Sequence, residues 1–234
     1  MRVGLVIPTL NAPDLAIDLI YSAKSKNDLR IYVQPQYRYQ VPLAQAWNNG
    51  IRQATADGCG VVIVSNDDAI FAPNTVDYLT SMVNDSYDFD GSVMAYPLDV
   101  FEAFGEGEHD EILFDEDDLY EVEDKEDQKF SCFAVKSNFF DICGTFDENF
   151  DPCWWEDTDM KYRMHLLGQK PLYTNVPYVH LRHQTTNRLT LPINSMKSQQ
   201  YYEKKWGSSR KDLKEAYIHP YNDSNLSAKD WKKL

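Results

Sequence analysis

The first seven residues hold Val3, Leu5, Val6 and Ile7 in a β-branched run that ends at Pro8, which predicts a buried first strand followed by a turn over residues 8–11. Residues 14–23 carry Leu15, Ile17, Leu19 and Ile20 without Gly or Pro and read as a helix, and residues 29–33 read as a second strand. Leu43, Ala46, Trp47, Gly50, Ile51 and Ala54 then recur at helical spacing, and residues 61–64 form a short continuous apolar strand after Gly58 and Gly60. This β-α-β alternation predicts a mostly parallel, helix-covered sheet.

Beyond the third strand, residues 65–73 read as a turn, and Asn74 is placed to cap a helix through Val83. Strands are expected at 92–96, 130–135 and 171–176, the last closed by Pro177, with a short helix at 138–142. A polar, basic helix is expected at 194–205, followed by Trp206, Gly207 and a tail to Leu234.

One stretch stands apart from this alternation. Trp154 and Trp155 are followed at once by Glu156, Asp157 and Asp159, and the run then becomes helical, with Met160, Met164 and Leu167 on one apolar stripe and Gly168 suited to the left-handed position past the helix end. Asp157 is expected at the N-cap or just before it, where the helix dipole favours an ionised carboxylate. Two readings are open at this point: acid chemistry placed at a helix start, or an ordinary cap beside an Asp159–Arg163 ion pair at i, i+4.

Composition bounds the picture. The 234 residues are 43% hydrophobic, enough to fill a real core, and no run of eighteen apolar residues occurs. The N-terminus is too soon interrupted by Pro8 for a signal peptide, so a soluble, cytoplasmic protein is expected. Cys59, Cys132, Cys143 and Cys153 are widely spaced, form neither a CxxC pair nor a zinc ligand set, and are expected as buried reduced thiols. The net charge is −14, but residues 102–127 hold 14 acids and one lysine, so the rest of the chain is nearly neutral. Phe101, Phe104, Ile112, Leu113, Phe114, Leu119 and Tyr120 run through this acidic segment, which is therefore expected to be an ordered or partly ordered insertion.

Two further candidates follow strands. Asn66, Asp67 and Asp68 stand just past the apolar run 61–64, at the strand end where open α/β sheets bind ligands. His180 and His183 lie three apart after the last strand, where they are candidates for metal or phosphate ligation, or for simple packing.

Four motifs in order, Val6-Ile7-Pro8-Thr9-Leu10-Asn11, the run from Gln45 to Ala54, Asn66-Asp67-Asp68, and Trp155-Glu156-Asp157-Thr158-Asp159 with Arg163, resemble the GT-A glycosyltransferases of family 2. The helix ending in Lys204-Lys205-Trp206-Gly207 is similar to the tail of many such enzymes, and the resemblance covers about residues 1–207. It implies a single GT-A domain, Rossmann-like, over residues 1–190: a nucleotide-sugar-binding half at 1–98, the acidic insertion at 99–128 and an acceptor and catalytic half at 129–190. Residues 191–234 are expected to form a helical, basic C-terminal extension.

The implied activity is metal-dependent, inverting transfer of a sugar from a nucleotide-sugar donor to a hydroxyl acceptor. A divalent ion, Mn²⁺ or Mg²⁺, is implied on the diphosphate, with Asp68, five residues before Pro73, as its direct ligand and His180 or His183 beside it. Asp157 matches the family's general base and Glu156 would orient the acceptor or serve as an alternate base, while Asp159 and Arg163 fix the helix. Pro8, Thr9, Asn11, Asn49, Asn66 and Asp67 are the implied donor-binding residues. Where the family usually carries an acid that reads the base, this chain has Gln34-Pro35-Gln36, so the nucleotide is not fixed. The insertion is either an acceptor-binding lid or a solvated loop.

Alternatives stay open on acceptor and class. A glycan is the expected acceptor. The late cluster Lys197, Lys204, Lys205, Arg210, Lys211 and Lys214 keeps a modified DNA base in view. A non-catalytic protein of the same fold is a second class, and a nucleotidyltransferase, disfavoured by the lack of a glycine-rich, lysine-bearing phosphate loop, is a third.

Overall fold

The computed structural model describes residues 1–10, 13–36, 41–84, 94–100, 130–169, 171–181 and 195–207. In chain order these form β1 (Arg2–Thr9), α1 (Pro13–Ser22), β2 (Asp28–Pro35), α2 (Leu43–Ala56), β3 (Val61–Ser65), β4 (Ala69–Phe71), α3 (Thr75–Asn84), β5 (Met94–Asp99), β6 (Cys132–Lys136), α4 (Phe139–Cys143), α5 (Glu156–Leu166), β7 (Leu172–His180) and α6 (Met196–Trp206).

The strands make one mixed sheet in the order β2-β1-β3-β6-β5-β7-β4. The β1–β2, β1–β3 and β5–β7 pairings are parallel, whereas β6 lies antiparallel between β3 and β5, and β4 runs antiparallel to β7. Alternate residues of β1 feed two cores. Val3, Leu5 and Ile7 pack with Ala16 and Leu19 of α1 and Val76 and Leu79 of α3. Val6 faces the other way, with Trp47 and Ile51 of α2, Phe133 of β6 and Met160 and Met164 of α5. Burial on both faces is why β1 and β3 read as unbroken apolar runs.

The structure corrects several boundaries. β1 continues through Pro8 to Thr9, paired with β2 up to Thr9↔Pro35. The ladder with β3 stops at Val6, and the Thr9 carbonyl accepts the Gln36 N–H at 2.8 Å, so Thr9 addresses β2. Pro8, one residue earlier, faces the side where no partner remains, and its missing N–H costs nothing. β7 likewise runs through Pro177 to His180, next to an irregularity in its pairing with β5 between Tyr96 and Leu98. β4, expected as part of a turn, forms because Ala69 and Phe71 are buried on β7. Asp99, expected to open the acidic insertion, ends β5; the segment beyond Val100, up to residue 129, lies outside the described residues.

All four cysteines are free, with Cys59, Cys132 and Cys143 buried. Among the described residues no helix is long and apolar enough to cross a membrane.

Candidate functional site

The sheet brings the chemistry to one edge. β1, β2, β3, β5 and β7 all point their carboxyl ends the same way, so Thr9, Gln36, Asn66 to Asp68, Asp99 and His180 gather along a single rim. Antiparallel β4 starts there, with Ala69 opposite His180. The Asp68 carbonyl accepts the Leu181 N–H at 2.8 Å and Asn66 N–H donates to the Ser131 carbonyl at 2.8 Å, which pins the Asn66-Asp67-Asp68 turn between β6 and β7.

At this rim Nε2 of His180 lies 3.1 Å from Oδ1 of Asp68. Asp68 is buried and the His180 side chain is 16% exposed, so the pair is held firmly but open on one side. Behind it, Asp99 accepts the His180 backbone N–H at 3.4 Å and places Oδ2 4.0 Å from the ring's Nδ1. The pair supplies one hard oxygen and one imidazole nitrogen. Among the described residues no three His, Cys, Asp or Glu side chains converge into a closed metal cage. A divalent ion that completes its shell with phosphate oxygens and water, as Mg²⁺-type sites do, needs no such cage, so the donor set fits.

The loop that leads into the acidic helix start also lies at the carboxyl edge. The Leu43 N–H at the start of α2 donates to the Pro152 carbonyl at 2.9 Å, placing the loop before α5 at the carboxyl edge. From there α5 descends toward Leu172, where β7 begins. Asp157 is not the N-cap: Trp155 holds that position at φ 74°, after Trp154 at φ 70°. Two consecutive non-glycine residues in the left-handed region are uncommon, and sequence gives no signal for them. Asp157 is thus the second helical residue, half-buried. Its Oδ1 accepts from the Thr158 N–H at 2.7 Å and hydroxyl at 3.2 Å, and Oδ2 has no hydrogen-bond partner among the described residues.

Glu156 differs sharply from its neighbour. It is 4% exposed, and its Oε2 has no hydrogen-bond partner among the described residues. Burial first, and then the adjacent Asp157 charge, push its carboxyl well above the ordinary range, so Glu156 favours the neutral acid, a hydrogen-bond donor rather than a base. Asp159, fully buried, takes Arg163 Nε at 2.9 Å and Trp206 Nε1 at 2.8 Å, as befits the structural role expected of it.

The remaining candidates divide. Pro8 and Thr9 end β1 at the rim, and the buried Thr9 hydroxyl has no partner among the described residues. Asn49 sits nearly two turns into α2, bonded to Arg52, and is not brought to the rim. Its neighbour Asn48 is the anchored one: buried, it exchanges two hydrogen bonds with the backbone of Phe146 at 2.8 and 3.0 Å, tying the loop before α5 to α2. Asn11 and His183 lie outside the described residues, as do Arg210, Lys211 and Lys214. Of the basic cluster, Lys205 is turned inward onto Asp147 and Asp159, both at 2.7 Å, and Lys197 pairs with Asp151 at 2.8 Å, while Lys204 stays on the surface. Asp99 was missed as a site residue. The signal was the one used for Asp68, an acid directly after an apolar strand.

No protein-family model and no curated protein matches the sequence. Among solved structures, the chain is similar to the catalytic domain of Drosophila beta1,4-galactosyltransferase 7 in complex with xylobiose, with a TM-score of 0.55 and 11% identity over 86% of this chain and 79% of that one. A mutant of the same Drosophila enzyme, in complex with manganese, UDP-Gal and xylobiose, aligns with a TM-score of 0.52 and 12% identity over 84% of this chain and 77% of that one. At such identities the likeness speaks for architecture: the chain has the fold of the GT-A glycosyltransferase catalytic domains.

Proposed function

We propose that this protein is a metal-dependent, inverting glycosyltransferase that moves a sugar from a nucleotide-sugar donor to a hydroxyl of a glycan acceptor. What supports this reading is that the Asp68–His180 pair and the loop leading into the acidic start of α5 both lie at the carboxyl edge of a GT-A sheet.

In this reading Asp68 and His180 would hold a divalent ion, Mn²⁺ or Mg²⁺, and Asn66, Asp67, Pro8, Thr9 and Asn11 would contact the donor. The ion, when bound, neutralises charge that develops on the leaving diphosphate. Asp157 accepts the proton of the acceptor hydroxyl as its oxygen attacks the anomeric carbon from the face opposite the diphosphate, giving inversion in one displacement. Its half-buried place in the first turn of α5, on the more open stripe of the helix, suits this. Glu156, pushed toward its neutral form by burial and the neighbouring Asp157, would donate a hydrogen bond to a substrate oxygen. Trp154, 38% exposed beside these acids, offers an apolar ring face for a sugar. That Drosophila beta1,4-galactosyltransferase 7 was crystallised with manganese, UDP-Gal and xylobiose supports a UDP-sugar donor and a glycan acceptor.

The test is a panel of nucleotide sugars incubated with the protein and Mn²⁺, reading release of the nucleoside diphosphate. Metal-dependent release from at least one donor, lost on chelation, is expected. Absence of both metal-dependent donor binding and turnover across the panel overturns the reading in favour of a non-catalytic protein of this fold.

A further inference from the structure

We propose that α6 is a clamp that positions the general base, with Lys205 and Trp206 acting on Asp157 through Asp159. This rests on the reading of Asp157 as the base.

α6 contacts the segment leading into α5 along its whole length. Tyr201 donates to Asp147 Oδ2 at 2.9 Å, Lys197 pairs with Asp151 at 2.8 Å and Ser198 donates to the Cys153 carbonyl at 3.0 Å. Tyr202 lies against the Trp155 ring at 5.1 Å, and Trp206 meets Tyr162 edge-on at 4.7 Å. Each turn of α6 thus holds part of the chain between Asp147 and Tyr162: its first turn holds Asp151 and Cys153, its second Asp147 and the left-handed Trp155, and its last Asp147, Asp159 and Tyr162. Two left-handed tryptophans are a conformation the local chain does not favour, and it persists where its surroundings over-determine it.

Asp159 is the point where the clamp fixes rotation. Arg163 Nε occupies its Oδ2 at 2.9 Å, while Trp206 Nε1 at 2.8 Å and Lys205 Nζ at 2.7 Å share Oδ1. Arg163 also donates to the Cys143 carbonyl at 2.7 Å, at the end of α4, and Lys205 reaches on to Asp147. Two cations and two carboxylates therefore balance in a largely buried cluster whose donors come from α5 and α6. Hydrophobic side chains would fill the same space at comparable stability, so what the polar cluster adds is direction. At 100° per residue Asp157 lies about 200° around α5 from Asp159. Locking Asp159 inward thus turns Asp157 outward, and the exposure along the helix agrees: Asp159, Met160, Tyr162 and Arg163 are buried, while Asp157, Lys161 and His165 form the more open stripe.

Trp206→Phe keeps an aromatic ring at this position and removes the indole N–H that Trp206 donates to Asp159. Ser198→Ala removes one bond to the Cys153 carbonyl and is the milder companion, and Lys204→Ala, on the exposed side of α6, is the control. Two readouts are taken on the full chain. Amide hydrogen exchange of peptides spanning residues 153–163 reads the clamp without any activity, and steady-state transfer together with calorimetric binding of Mn²⁺ and the donor reads its consequence. The expected result for Trp206→Phe is faster exchange confined to 153–163, a fall in kcat of about tenfold, equivalent to ~1.4 kcal/mol in barrier, and unchanged binding of metal and donor; Ser198→Ala moves the same readouts less and Lys204→Ala none. Unchanged exchange in 153–163, or exchange that rises throughout the protein, overturns the clamp. If the parent protein turns over no donor, the functional reading fails, and the exchange pattern alone decides for or against the clamp.

Discussion

Nε2 of His180 and Oδ1 of Asp68 stand 3.1 Å apart, although 112 residues separate them, because β4 and β7 pair with Ala69 opposite His180. A pair this close presents two ligand atoms to one point. His180→Ala and Asp68→Ala are therefore each expected to weaken Mn²⁺ binding in the presence of nucleoside diphosphate by at least the roughly 10- to 100-fold typical of losing a supporting group around a metal. Titration calorimetry on folded variants measures it. Parent-like Mn²⁺ affinity in both variants would remove the pair from the metal site.

Asp157→Asn tests the other side of the rim. The amide keeps the size of the side chain and an oxygen to accept from Thr158, as Oδ1 now does at 2.7 Å, but it cannot take a proton. Loss of transfer by roughly 100- to 10,000-fold is expected, the range for removing a general base, with donor and metal affinity kept. Full transfer activity in this variant, measured by product formation, would assign the base elsewhere.

How far these residues were legible in the sequence depends on range. β1 and β3 showed themselves because strands buried on both faces are continuous apolar runs. The Asp159–Arg163 pair was legible as an i, i+4 spacing, and Gly168 at φ 70° as a helix end. What was hidden is non-local. The depth of Asp159 depends on Trp206, 47 residues on, and Asp99 meets His180 only through the parallel pairing of β5 with β7. Asp157 was misplaced at the cap because capping rules weigh Ser, Thr, Asp and Asn, whereas here the cap is a tryptophan whose conformation tertiary packing imposes. β4, three residues long, offered too few positions for any period.

The donor half of the rim hangs on one close approach. A Cβ on Gly50 of α2 would collide with Val6 Cγ1 in the middle of β1 and would come within 3.1 Å of Gln34 Cγ on β2. Val6 is fully buried and has no space to retreat. Gly50→Ala gains helix propensity but overpacks this contact, and a net loss of about 1–3 kcal/mol is expected. Urea unfolding measures it. A variant as stable as the parent would show that α2 can lift off β1 freely.

Glu156 should make the stability of the protein fall across mildly acidic to neutral pH. In the unfolded chain its carboxyl ionises near about 4.3, while in the folded protein burial and the neighbouring Asp157 hold it protonated to well above that value. Between those two points the folded state carries a proton that the unfolded state has released, so raising the pH favours unfolding. Below the unfolded value both states are protonated and this contribution vanishes. Glu156→Gln removes the titration while keeping a hydrogen-bond donor of the same size. The variant is therefore expected to melt at a higher temperature than the parent near neutral pH and at a similar temperature near pH ~4, while its transfer activity falls only modestly because the donor is kept. Melting curves over that window decide it: identical pH profiles for the two proteins would mean that Glu156 is ionised in its buried position and takes part as an acceptor.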